Sequence, residues 1–244
     1  MSVTEQPVPV SAGPEGSEPA TTHAYVRRLE AQRNLLVREV HHRIKNSLQG
    51  VAGMLRQHAL DHPEAAAALE AAIAQVRTLA VIHGLEGESL YNEVVLCEIA
   101  PSVARMVEEL VVPRRPIHVT VAVPQRIRVS EQERVPVALV LNELILNAAK
   151  HACPEAAGVA VQVSVAWQAQ ADQAVITITN PGVLPAGLVY AQGRGLGTGL
   201  DLVQSMLPPE GAQLCLQQAG PVVMAQLLLS APVIYRLDRP VGPT

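Results

Sequence analysis

Phenylalanine is absent from this chain, Trp167 is its only tryptophan, and aromatic residues make up 2% of it. Platforms that bind single-stranded nucleic acid stack bases on several exposed rings, so this poverty excludes that class. Positive charge is not in excess either: 18 Lys and Arg stand against 22 Asp and Glu, a net charge of −4, which does not suit a binder of phosphate backbones. The three cysteines, Cys97, Cys153 and Cys215, are odd in number, widely spaced and without a C-x-x-C pair. They give neither a disulfide framework nor a zinc site, and read as buried structural thiols. No continuous apolar run approaches the roughly 18 residues that cross a bilayer, and the N-terminus lacks the charged-then-apolar order of a signal peptide. A cytoplasmic location without a membrane span is therefore expected. What the chain does have is 244 residues, 49% of them apolar, enough for one or two ordinary cores.

Residues 1–22 are rich in Pro, Gly, Ser and Glu and poor in large apolar groups. They cannot offset the entropy of ordering, and a disordered tail is expected. From about His23 to Leu60, apolar residues at Leu36, Val40, Ile44, Leu48, Val51 and Leu55 recur at three and four residues, the period of one helical face. "DHPE" at 61–64 interrupts this helix, because Pro63 cannot continue it, and Asp61 with Glu64 resembles a capping box for the next. Leu69, Ile73, Val76, Ala80 and His83 mark that second helix, up to about residue 87. Two helices joined so tightly form an antiparallel hairpin, and a lone hairpin leaves most of its apolar stripe in water. Pairing two hairpins into a four-helix bundle covers the stripe, so a homodimer is expected on physical grounds.

After a linker around 84–94 the pattern becomes mixed. Helical spacing runs over Leu96 to Leu110, "IHVTVAV" at 117–123 alternates as a strand, and a long helix starts near Ser130, with Pro136 marking a kink or a delayed start. Two strands meet at a polar turn around Ala171 and Asp172; a Gly-rich loop, a short helix from Thr198 to Leu207 and two last strands follow. The fold class is α+β: a helical hairpin at 23–87, a layered α/β unit at 88–235, and a tail at 236–244.

"REVHHRIKNSLQ", Arg38 to Gln49, places two imidazoles inside the first helix. At about 100° per residue, His42 lies about 200° round from Val40 and points to solvent, while His41 lies near the boundary of the buried face. Glu39 and Asn46 share the His42 patch. His41 and His42 diverge too far to chelate one ion together. His58 and His62 have the spacing of a helical metal pair, but His62 sits at the Pro63 break and no third ligand is evident. For these two, and for His83, His118 and His151, a solvated or satisfied imidazole is the expectation.

With these residues in place, "EVHHRIKNSLQ" resembles the phosphoacceptor helix of sensor histidine kinases with an H-R-x-K-N motif, the branch related to the HWE kinases. The order of later features is similar as well, so the resemblance spans about residues 30 to 232. It implies that His42, the His directly before Arg, accepts phosphate, with His41 as second choice, and that Asn46 can orient water for the reverse reaction. "LNELILNAAKHA" resembles the N-box of the GHKL ATPases, whose fold is a Bergerat-type α/β sandwich. By that resemblance Asn147 ligates Mg²⁺, Lys150 and His151 meet the nucleotide, and Glu143 takes the water- or metal-organising position. Hard oxygen donors suit Mg²⁺, and a lysine meets phosphate as a point charge. "GRGLGTGLDLV" resembles the second glycine box, with Gly195, Gly197, Thr198 and Gly199 against the phosphates; glycines let backbone N–H groups approach them, and a helix N-terminus adds its dipole. The chain departs from the Asp-x-Gly-x-Gly box that binds adenine: it has "TNPGVLPAG", with Asn180 or Thr179 in place of the Asp, Gly182 for the first glycine and Val183 for another. An Asn oxygen can still accept a hydrogen bond, but a neutral bond is about half as strong as a charge-assisted one.

The resemblance implies a cytoplasmic kinase of two-component signalling that uses ATP and Mg²⁺, phosphorylates itself on His42, and passes the group to an Asp of a response regulator. Signal input is expected from a separate sensor protein or a ligand. The alternative is a histidine phosphotransfer or scaffold protein whose nucleotide domain no longer works, which "TNPGVLP" favours. A serine kinase of the anti-sigma type shares the ATPase fold but leaves "HHRIKN" without a purpose.

Overall fold

A computed structural model describes residues 18–89, 93–111, 116–123, 126–152, 161–184 and 198–237. The first helix, α1 (Glu18–Asp61), begins within the stretch expected as a tail; residues 1–17 lie outside the described residues. A 3₁₀ turn over Pro63–Ala65 separates it from α2 (Ala66–Glu88). The expected capping box does not form: Asp61 accepts from Gln57 Nε2 (3.1 Å) and Glu64 pairs with His62 (3.2 Å). The proline at the start of the 3₁₀ turn is enough to break the helix there.

The rest alternates α3 (Leu96–Leu110), β1 (Ile117–Ala122), β2 (Ile127–Val129), α4 (Arg134–His151), β3 (Val161–Gln168), β4 (Gln173–Pro181), α5 (Thr198–Met206), β5 (Ala212–Ala219), β6 (Val222–Leu229) and β7 (Ile234–Arg236). A 3₁₀ turn over Glu131–Glu133 delays α4, so Pro136 falls in its first turn, where a missing N–H costs nothing. The main sheet has the order β1-β3-β4-β6-β5, with β1 parallel to β3 and the other pairs antiparallel. Asp172, at φ 48°, makes the tight turn between β3 and β4. The sequence pattern did not reveal β2 and β7, three-residue strands that pair with each other apart from the main sheet.

Alternation along β4 buries Ala174, Ile176, Ile178 and Asn180 on one side. Ala174, Ile176 and Ile178, with Val161, Val163 and Val165 of β3, share one core with α3 and α4. Ala74 and Ile82 of α2 belong to the same core, because α2 packs on α3 and α4 as well as on α1. The hairpin and the α/β layer are thus one packed body, with the division expected near residue 87 running through a shared interior. Pro63–Glu88 is long and apolar enough, by composition, to cross a bilayer, although charged and polar residues interrupt it. Of its apolar groups, Ile73, Ala74, Ala80 and Ile82 are buried within the fold. Cys97 and Cys215 are free and half-buried rather than fully buried, with burial raising the Cys97 thiol pKa; Cys153 lies outside the described residues.

The apolar residues expected on one face of α1 divide between two directions. Ile44, Leu48 and Leu55 are partly covered by α2, whereas Leu36, Val40 and Val51 are 67%, 54% and 38% exposed, in line with exposed Leu29 and Met54. On a helical wheel the covered set centres about 80° away from the exposed set.

Candidate functional site

Helical rotation separates the two adjacent histidines into different environments. His41 lies in the direction of Leu48 and Ala52, towards α2, where its Nδ1 is 3.2 Å from His83 Nδ1 and 3.3 Å from Glu86 Oε2. His42, about 100° further on, faces away from the exposed apolar stripe and towards the open side of α1. It is exposed, as expected, and Asn46 Nδ2 lies 3.4 Å from its Nδ1. Glu39 is engaged with Arg43 at 2.7 Å, so the neighbour that contacts the His42 ring is Asn46. Beside His42 a cleft of about 580 Å³ runs between α1 and α2, lined among others by Arg38, Lys45, Gly84 and Glu88.

At the other end, α4 places Glu143 and Asn147 four residues apart, facing the start of α5. The fit is close. A Cβ on Gly199 would lie 2.8 Å from Glu143 Oε2 and 3.3 Å from Asn147 Nδ2, so a larger residue there would have to displace Glu143 or the N-terminus of α5. Glu143 is 4% exposed, and its pKa is raised by burial, opposed by hydrogen bonds from Gln75 and Asn142 and by the Lys150 charge. Asn142, fully buried, donates to Glu143 Oε1 at 3.3 Å, while its own Oδ1 has no hydrogen-bond partner among the described residues. Lys150 and His151 are exposed one turn beyond Asn147.

Asn180 is the last inward residue of β4, 5% exposed, and its Nδ2 donates to Pro181 O at 3.2 Å. A Cβ on Gly182 would meet His151 O at 2.9 Å and Asn180 Nδ2 at 3.0 Å, so β4 and the end of α4 also meet through a glycine. Asn147, Glu143 and Gly199 thus form one group, and Asn180, Gly182 and His151 another at the end of the same helix. Gly195, Gly197 and the Thr198 side chain lie outside the described residues. The Asn147 amide oxygen, the Lys150 ammonium and the glycine-permitted approach of the α5 N-terminus are a set that fits Mg²⁺ and a phosphate chain.

Four side chains at this junction carried no functional signal in the sequence: Gln75, His83 and Glu86 of α2, and Arg134 of α4. Arg134, 4% exposed, donates to Glu86 Oε1 at 2.9 Å and so joins the hairpin to the α/β layer. His83 and Glu86 stand three apart on one helix, which is readable, but their partners come from α1 and α4.

Comparison with known proteins gives matches over two overlapping stretches of the chain. Residues 39–111 match a family described as histidine kinase, and residues 108–207 match one described as histidine kinase-like ATPase domain. Sensor histidine kinase PdtaS of Mycobacterium tuberculosis is 27% identical over 177 residues, 71% of this chain and 34% of the relative. Its counterpart in Mycolicibacterium smegmatis is 28% identical over 174 residues, 69% of this chain and 32% of that one. The chain therefore spans about a third of the length of these relatives. Among solved structures, the Erythrobacter litoralis EL346 blue-light activated histidine kinase has a similar fold, with a TM-score of 0.52 at 19% identity over 81% of this chain and 59% of that one.

Proposed function

The chain belongs to the histidine kinases, carrying their kinase and ATPase domains in sequence order, and from that premise we propose that it is an ATP-dependent protein-histidine kinase acting on its own His42. The observation that carries this reading is the contrast within the histidine pair: His41 is occupied by His83 and Glu86, and His42 is open to solvent beside Asn46. A nucleophilic imidazole must keep a lone pair, so His42 acts in its neutral form, and Asn46 is placed to orient the ring. Asn147 would hold Mg²⁺ through its amide oxygen, Lys150 would lie along the phosphates, and Gly199 would let the α5 N-terminus approach them. Asn180 would present its amide oxygen to adenine, since its Nδ2 is turned to Pro181 O. Glu143, held by Gln75 and Asn142, would order the water around the metal. Bound Mg-ATP supplies the phosphoryl group and neutralises charge as it transfers, leaving the protein chiefly to position the partners.

The stripe of Leu29, Leu36, Val40, Val51 and Met54 supports a homodimer through a four-helix bundle. A receiver domain of a response regulator would dock on the free His42 side and take the phosphoryl group on an Asp. The cytoplasm, where ATP and response regulators are found, is the location this function requires. Asn180 in place of a carboxylate favours a second reading, a phosphotransfer or scaffold protein that does not use ATP.

Incubation with γ-labelled ATP and Mg²⁺ tests the choice. The expected product carries an acid-labile, base-stable label that is lost in His42→Ala and kept, at reduced protein stability, in His41→Ala. Absence of label together with absence of nucleotide binding by calorimetry would establish the second reading instead.

A further inference from the structure

We propose that His41, His83 and Glu86 form a binding site for a divalent transition metal of the Zn²⁺ class, separate from the Mg²⁺ expected at Asn147. Three ligand atoms on two helices converge there. His41 Nδ1 and His83 Nδ1 are 3.2 Å apart, and Glu86 Oε2 lies 3.3 Å from the first and 3.0 Å from the second. Tetrahedral Zn²⁺, with bonds of about 2.0–2.1 Å, sets its ligand atoms about 3.3 Å from one another. The observed triangle therefore matches one face of that tetrahedron, with an ion seated just above its plane and the fourth position left to water.

The surroundings fit the assignment. Two imidazole nitrogens with one carboxylate oxygen suit Zn²⁺, whereas Mg²⁺ and Ca²⁺ favour all-oxygen ligand sets. Arg134 donates to Glu86 Oε1, which fixes the carboxylate with Oε2 turned to the imidazoles, as outer-shell partners commonly do for metal ligands. Gly87 makes the convergence feasible: a Cβ there would lie 3.3 Å from His41 Cβ, so the small residue lets α2 come close to α1 at this level. The His41 and His83 side chains keep 17% and 26% of their exposure, and His83 lines the cleft beside His42, which provides an entry path. A bound ion would staple α1 to α2 one residue from His42.

The full chain, stripped with a chelator, can be titrated with Zn²⁺ against a chromophoric competitor and, in parallel, with Co²⁺. We expect one Zn²⁺ per chain and the intense visible bands of four-coordinate Co²⁺, neither displaced by excess Mg²⁺. His83→Asn and Glu86→Gln should each weaken Zn²⁺ binding at least about tenfold, while His58→Ala, at the other histidine pair, should leave it unchanged. Circular dichroism checks that the variants are folded, and the Co²⁺ spectrum of the unaltered chain needs no variant. Three results would overturn the proposal: no stoichiometric Zn²⁺ uptake, which would make the triad a hydrogen-bonded cluster only; the weak spectrum of six-coordinate Co²⁺; or full-strength binding in both variants. All these readouts are independent of kinase activity.

Discussion

Replacing Gly199 with alanine should couple the stability of the fold to its affinity for nucleotide. The added Cβ would stand 2.8 Å from Glu143 Oε2 and 3.3 Å from Asn147 Nδ2. Optimal contact between heavy atoms is about 3.5 Å, so the overlap with the carboxylate is about 0.7 Å. An exposed glutamate would swing aside at little cost, but this one is 4% exposed and held by Asn142 and Gln75. Swinging it sacrifices hydrogen bonds worth about 0.5–1.5 kcal/mol each; shifting α5 instead loosens its packing on α4. We expect a net loss of about 1–2 kcal/mol, the lower part of the range for overpacking. Either movement disturbs the α5 N-terminus or Asn147, so Mg-ATP affinity should fall about tenfold or more. Urea unfolding at fixed protein concentration and calorimetric titration with Mg-ATP measure the two effects. In a Glu143→Ala background the clash has no partner, and the stability cost of Gly199→Ala should shrink by about 1 kcal/mol in a double-mutant cycle. The reasoning fails if Gly199→Ala leaves stability unchanged, or if its cost is the same with and without Glu143. Gly53 is the control: nothing lies within 4 Å of its would-be Cβ, so Gly53→Ala should stabilise α1 by about 0.5–1 kcal/mol.

Glu143 also makes stability depend on pH. Burial raises its pKa in the folded state above the ordinary 4.5. Its stabilising contribution is therefore fully present below that ordinary value and is lost as pH rises through the folded value. Glu143→Gln, which mimics the neutral acid, should be more stable than the unaltered chain at pH 7, with the gap closing towards pH 4 in urea titrations. Ile82→Ala removes a fully buried side chain from the core that α2 shares with the α/β layer and should cost about 2–5 kcal/mol. A single unfolding transition should accompany that loss, reported alike by far-ultraviolet circular dichroism and Trp167 fluorescence; a hairpin melting first would contradict the shared interior. Arg134→Met strands the Glu86 carboxylate, 11% exposed, beside two imidazoles, and should cost about 2–4 kcal/mol, at or below the usual figure for a broken buried pair because the imidazoles still contact it.

Much of this protein was readable from local pattern. The period of α2, the alternation of β3 and β4, the Asp172 turn and the placing of α5 all follow from side-chain spacing, because helices and strands repeat over a few residues. The α1 stripe was read as one face when it is two: Leu48 and Val51 are three residues apart, and periodicity does not distinguish a neighbour in the same chain from a neighbour in a second copy. The short strands β2 and β7 escaped notice because three residues carry too little alternation, and each exists only by pairing with the other. Among the candidate nucleotide residues, Glu143, Asn147 and Gly199 lie against one another, which spacing along the chain did not reveal.

The sequence by itself determined that His42 faces away from the apolar side of its helix, since 100° per residue fixes that direction before any partner is known. It also determined the order of the helices, the i, i+4 spacing of Glu143 and Asn147, and the glycine-rich run from Gly193. Only the tertiary structure decided what surrounds His41. Its contacts come from residues more than forty positions away on α2, where Gly87 permits close approach, and Arg134 of α4 holds the carboxylate that both imidazoles meet. No local pattern encodes such a meeting, because it depends on how far apart two helices pack and at what rotation, and the whole core sets both.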